Sequence, residues 1–215
     1  IDRRGAGILM IRAGTSRTLF ATKGIQPMKS MTKRLLAALL AVAALFALAG
    51  CSKSDKADAA PKDYTKILHD ARPDEDNEYY MIFSPGEDGK FTAQYGYSDS
   101  YDAAQLDEEI RNMLLPLLNL EEDMYTDFAA SVSGMMVQSY GIAIVKPAEG
   151  KQQAVSEALD AYVQSQMQSM EHYLEDQYQI AASSHISTAP TGEVILVCCE
   201  NPEAVMNAIK TALAA

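Results

Sequence analysis

Fifteen consecutive residues, Leu35 to Ala49, are Leu, Ala, Val and Phe only. No other stretch constrains the chain as strongly. A segment without polar side chains is driven out of water, into a core or into lipid. It is shorter than the ~20 apolar residues a spanning helix needs. Lys29, Lys33 and Arg34 precede it and small residues end it. Positive flank, short apolar run and small residues are the order of a secretion signal. Residues 28–50 are therefore read as a signal peptide and set aside from fold reasoning. Met28 or Met31 would start a signal of ordinary length, so residues 1–27 are expected to be an over-extended N-terminus. Residues 51–62 read as a flexible tether and 63–215 as a single domain.

The run ends in Leu48-Ala49-Gly50-Cys51, which resembles the lipobox of bacterial lipoproteins. That resemblance implies cleavage between Gly50 and Cys51 and a diacylglycerol thioether on Cys51, with palmitate among the acyl chains. Several acyl chains on one residue hold a protein at a membrane far better than one myristoyl chain. The expected location is the extracytoplasmic face of the cell membrane, with the membrane itself as a partner. The alternative is a buried helix followed by a chance cysteine.

From Cys51 onward the chain keeps ten of the 18 Lys and Arg but 28 of the 29 Asp and Glu, a net charge of −18. Phosphate backbones and anionic lipid heads repel such a chain, which argues against nucleic acid as a partner. Cys198 and Cys199 are adjacent on a predicted strand and point to opposite faces. With Cys51 assigned to lipid, a disulfide framework is absent, and the pair reads as two small residues packed in the strand.

Ser52 to Pro61 lacks hydrophobic periodicity, as a tether does. A short helix is expected around Tyr64–Asp70. The aromatic run Glu78–Ser84, the turn Pro85-Gly86-Glu87-Asp88-Gly89 and the alternation Phe91, Ala93, Tyr95, Tyr97 predict a β-hairpin. Asp102 and Gln105 have the spacing of a capping box before Leu106, Ile110, Met113, Leu114, Leu117 and Leu118, and Pro116 should kink or end that helix. Asp127–Ser133 alternates, with Phe128, Ala130 and Val132 on one face. In Tyr140–Lys146, Ile142 and Ile144 oppose Ala143 and Val145, the pattern of a strand covered on both sides. Lys151–Tyr178 reads as the longest helix, with Val155, Leu159, Tyr162, Met170, Tyr173 and Leu174 as its apolar stripe. Ile180–Ser187 and Glu193–Glu200 read as two strands around Pro190-Thr191-Gly192. Asn201-Pro202-Glu203 opens a last helix. The fold class expected is α+β, a two-layer domain with a mostly antiparallel sheet and helices packed on it.

The segments Asp127 to Lys151, including Ser131-Val132-Ser133-Gly134-Met135-Met136-Val137 and Ile142-Ala143-Ile144-Val145-Lys146, resemble the domain-of-unknown-function family DUF4358. So do Tyr173-Leu174-Glu175-Asp176-Gln177-Tyr178 and the closing strand and helix. The resemblance spans roughly 121–213 and leaves the hairpin region, Glu78–Tyr97, unmatched. It implies a lipoprotein of a Gram-positive, largely clostridial bacterium, and no activity or functional residues.

No phosphate-binding glycine loop or metal-spaced Cys/His cluster occurs, so neither a metal nor a cofactor is expected. His69, His172 and His185 are far apart in sequence. Asp74-Glu75-Asp76 and Glu121-Glu122-Asp123 are acidic triplets without the ligand spacing of a calcium loop. Ser131 and Ser133 lack a motif framing a nucleophile. The expected function is non-enzymatic: a binding or interaction module tethered at the cell envelope, with an envelope protein as its partner. The alternative is a small-ligand or solute-binding lipoprotein. A third reading is an envelope hydrolase using Asp127 or Glu193 as acid or base. The candidate binding surface is the aromatic group Tyr79, Tyr80, Tyr95 and Tyr97, against the more ordinary reading that these tyrosines simply cover the sheet.

Overall fold

The structure is a computed structural model and describes residues 61–215. Leu48, Ala49, Gly50 and Cys51 lie outside the described residues, as do the signal and most of the tether. Six helices and six strands follow in order: α1 (Tyr64–Ala71), α2 (Asp74–Tyr79), β1 (Ile82–Pro85), β2 (Phe91–Gln94), α3 (Ala103–Glu109), β3 (Tyr125–Val132), β4 (Gly141–Pro147), α4 (Gln152–Met170), α5 (Glu175–Ala182), β5 (His185–Thr188), β6 (Val194–Cys198) and α6 (Pro202–Ala214). The strands form one antiparallel sheet in the order β2-β1-β3-β4-β6-β5. The α+β class and the antiparallel sheet are as expected.

The register explains the layering. Ala93, Phe83, Ala130, Ala143, Leu196 and Ile186 stand in one row across the six strands. That row faces a core filled by Leu106, Ile110, Leu114 and Leu118 from α3 and its extension, and by Val155, Leu159 and Tyr162 from α4. The next residues along each strand point the other way. Ala129, Ile142, Ile144, Ile195 and Val197 meet Leu68 of α1 and Val205, Ile209 and Leu213 of α6. Helices therefore cover both faces, three layers where two were expected. The physical reason lies in β4 and β6, which are apolar on both sides and stay out of water only beneath two helical layers. Cys198 faces one core and Cys199 the other, both as free buried thiols.

Local sequence sets the element ends. Asp102 and Gln105 form the capping box of α3. Pro116 cannot donate a backbone hydrogen bond and crowds the preceding turn. The helix widens ahead of it into a π-helical turn, Ile110–Leu114, and ends after one more turn at Leu117. Asn201 and Pro202 open α6, though Asn201 makes no side-chain cap. Two expected element bounds fail. The long helix breaks at Met170, whose carbonyl accepts from the amides of both Tyr173 and Leu174. Tyr173 is thereby turned out to solvent rather than into the stripe, and α5 begins with Glu175 and Asp176, acids at the positive end of a helix dipole. Residues 180–182, expected in a strand, finish α5. Their two alanines favour helix, and β5 starts only at His185. Among the described residues no helix is long and apolar enough to cross a membrane.

Candidate functional site

One end of the sheet opens into a cleft of about 680 Å³. It lies where β3 ends, β4 begins and β6 ends, between α2, the 3-10 turn Gly96–Ser100 and α5. Its volume falls within the range of small-molecule sites.

The floor rests on Arg72, which follows α1 and is buried. Its guanidinium donates to Asn77 Oδ1 at 2.6 Å, Ser131 Oγ at 2.7 Å, the Tyr140 hydroxyl at 3.2 Å and the Tyr80 carbonyl at 2.6 Å. A cation is tolerated in a core only when its donors are largely met, and here neutral oxygens from α2, β3, β4's entry and β1's entry meet four of the five. The Ser131 hydroxyl in turn donates to the Met81 carbonyl at 2.8 Å. Tyr140 stacks on Tyr80 with ring centroids 3.8 Å apart and planes 12° apart. Burial pushes the Tyr140 phenol far above the ordinary tyrosine range. The Tyr140 carbonyl accepts from the Tyr162 hydroxyl at 2.8 Å, so α4 holds the cleft floor from the opposite face.

The walls are aromatic and acidic. Tyr79, Tyr80, Tyr97 and Tyr101 line the cleft, with Glu75, Asp76, Glu109 and Glu200. Burial raises the Asp76 carboxyl above the ordinary aspartate range against the pull of Tyr140 and Arg72, and the Glu75 and Glu200 charges add to the rise. Cys199 also lines the cleft, its thiol pushed up to about 11 by burial. The loop between β3 and β4 forms a lip. Ser133 Oγ accepts from the Met135 amide at 3.2 Å and contacts Gln138 Oε1 at 3.2 Å, and Gln177 of α5 accepts from the Ser139 amide at 2.8 Å. Thus organised, the loop exposes Met135, Met136 and Val137 to solvent. Ser139 lines the cleft and is 2% exposed, and its Oγ has no hydrogen-bond partner.

The aromatic group expected on the hairpin is divided. Tyr79 ends α2 and Tyr80 follows it, so neither is on a strand, yet both reach the cleft with Tyr97. Tyr95 turns away and packs on His69, ring centroids 4.2 Å apart. The divider is backbone geometry: Tyr95 has φ +65° and Gly96 φ +51°. A Cβ on Gly96 would sit 2.6 Å from the Met81 amide nitrogen. Only glycine lets the chain press there and swing Tyr97 onto the rim.

The remaining candidates lie elsewhere. Glu193 is buried at the other end of the sheet, accepting from the Tyr64 hydroxyl at 3.0 Å and from Thr191. Burial works to raise its pKa, but the bonds from Thr191 and Tyr64 and the Lys62 charge hold it below the usual glutamate range. Asp127 is near the same Tyr64 and is raised by burial. Neither lines the cleft. Ser131 is consumed by Arg72, and His172 and His185 are exposed. Glu122 and Asp123 pair with Arg111 and Lys151 at 2.7 and 2.6 Å. Among the described residues no His, Cys, Asp or Glu group could hold a metal ion.

The family described as Domain of unknown function (DUF4358) matches residues 98–199, so that stretch is a DUF4358 domain. The match starts ahead of the 121–213 span of the resemblance, taking in α3, and stops before α6. Tyr101, the lip and Cys199 fall inside it, whereas Arg72, Glu75, Asp76, Tyr79, Tyr80 and Tyr97 fall outside. No curated protein and no solved structure matches the chain.

Proposed function

We propose that this DUF4358-bearing chain is a non-enzymatic binding module of the cell envelope, held at the membrane by lipid on Cys51, whose ligand sits in the tyrosine-walled cleft. The observation that carries the binding reading is the cleft itself, about 680 Å³ with four tyrosines around a floor fastened by Arg72. Ligand pockets combine apolar and aromatic walls with a few placed polar groups, and this one does so at the edge of a rigid sheet. The anchor reading rests on the Lys33–Cys51 pattern of the sequence. Two measurements test the proposal. Metabolic labelling with an alkyne palmitate should tag the full chain and fail on Cys51→Ala, and a label that survives the substitution refutes the anchor. A thermal-shift screen should yield ligands whose effect disappears in Tyr97→Ala, and stabilisers that ignore that substitution refute the cleft.

A second reading takes a protein partner instead of a small ligand. The exposed Met135, Met136 and Val137 beside the cleft favour it, since adaptable methionine side chains suit protein contacts. In-cell crosslinking tests it, with Met136→Ser expected to lose a partner that Tyr97→Ala retains.

A further inference from the structure

The cleft lining carries charge of a single sign. Glu75, Asp76, Glu109 and Glu200 line it, with no Lys, Arg or His. The cation nearest the floor, Arg72, does not line the cleft: it is 5% exposed, commits four of its five N–H donors to Asn77, Ser131, Tyr140 and the Tyr80 carbonyl, and its charge pulls on Asp76 from behind the wall. Among the described residues none of the four carboxylates is in an ion pair. Tyr79 and Tyr97 are exposed at the rim, 51% and 58%. A tyrosine ring presents a negative face, so aromatic walls attract the same sign of ligand charge as the carboxylates. Among the described residues the Ser139 hydroxyl beside the cleft is buried and has no hydrogen-bond partner, which few such atoms in native structures lack.

We infer that the cleft binds an organic ammonium ion carried on an apolar or aromatic body. The inference rests on the proposed reading of the cleft as a ligand site and names the chemistry that site selects. The ammonium meets the tyrosine faces and carboxylates together, and the apolar body lies against Met81, Leu114 and Ile180. An anion of the same shape is repelled. A neutral molecule fills the space without offsetting the charge.

The test uses the full chain in a non-ionic detergent. The sequence has no Trp, so tyrosine emission reports binding without interference. The probes are phenethylammonium, its N-trimethyl form, 2-phenylethanol and phenylacetate. The cations should bind at least about tenfold more tightly than the alcohol, with phenylacetate weakest, and concentrated salt should shrink the gap. Glu200→Gln, at an exposed position, should weaken the cations several-fold and leave the alcohol unchanged. Equal binding of cation and alcohol, or a cation preference that survives Glu200→Gln together with Asp76→Asn, overturns the inference while the cleft remains a ligand site. Silence from all four probes sends the question to a thermal-shift library. An ammonium hit weakened by Glu200→Gln upholds the inference, and hits confined to neutral or anionic compounds and lost in Tyr97→Ala overturn it alone. No hit in any charge class overturns both readings.

Discussion

Gly141 opens β4 beside the cleft floor, and its substitution by alanine tests how the two faces of the sheet are coupled. A Cβ there would lie 2.6 Å from Tyr162 Oη, 2.7 Å from Cε1 and 2.8 Å from Cζ. Carbon atoms pack best at about 3.5–4.0 Å, so the ring must shift by roughly 1 Å. It has nowhere to go: Tyr162 is 1% exposed and packed among Val155, Leu159 and the sheet. Overpacking of this kind costs about 1–3 kcal/mol. The shift also breaks the 2.8 Å bond to the Tyr140 carbonyl, worth about 1 kcal/mol, although that carbonyl keeps the Ser133 amide at 3.0 Å. Gly141→Ala should therefore lose about 3 kcal/mol, or roughly 6–12 °C in Tm for a domain of this size. Tyr162→Leu removes the ring and should itself cost about 2–4 kcal/mol. Urea unfolding of the two single variants and the double variant closes the cycle. If the clash is the cause, the cost of Gly141→Ala falls by at least about 1.5 kcal/mol once the ring is gone. Additivity within about 0.5 kcal/mol would refute the steric argument and point to the backbone instead.

Arg72→Met should cost about 3–5 kcal/mol in the same urea assay, because Ser131, Asn77 and the Tyr80 carbonyl lose a buried donor together; a loss below about 1 kcal/mol would show that the floor does not depend on it. Glu193 has a folded pKa below its unfolded value, so its contribution is complete above the ordinary glutamate pKa and disappears as pH falls through the folded value. Glu193→Gln should accordingly lower stability near neutrality and converge with the parent in acid, and a deficit that grows on acidification contradicts the assignment. With its thiol pushed up to about 11, Cys199 should resist iodoacetamide at pH ~8 in the folded chain and react once urea unfolds it, as followed by mass spectrometry.

What the sequence revealed followed from periodicity. The opposition of Ile142 and Ile144 to Ala143 and Val145 shows directly in the structure, each pair in its own core. The same pattern already required helices on both faces, but a count of elements in chain order does not say which face each helix takes. Capping chemistry at Asp102 was equally legible because it is local. The break after Met170 was not, since Glu171-His172-Tyr173-Leu174 contains neither Gly nor Pro and can continue a helix. The tyrosines illustrate half-legibility. Their clustering suggested a surface, and three of the four do share one, yet the expected strand placed them on the wrong element. Tyr79 belongs to a helix that begins after Pro73 with three acids in its first turn, a start signal that aromatic residues further on outweighed. Arg72 and Ser139 were missed altogether. A lone arginine ahead of Pro73 looks like surface until tertiary structure buries it, and a buried hydroxyl without a partner has no sequence signature.

The position of Arg72 has a mechanical consequence. The chain passes from Lys62 through α1 to this residue before any strand begins, and Lys62 is itself fastened to the Leu213 carbonyl. Tension arriving from the N-terminal side would thus meet the Lys62–Leu213 contact and α1 first, and then the guanidinium, which ties the segment to Ser131 and Tyr140 at the sheet. Loss of that tie would free the cleft wall that Asn77 and Tyr80 anchor to the sheet. A molecule lodged between Tyr79 and Tyr140 braces the tie from outside, so occupancy would register as a higher rupture force when the chain is pulled by its N-terminal end.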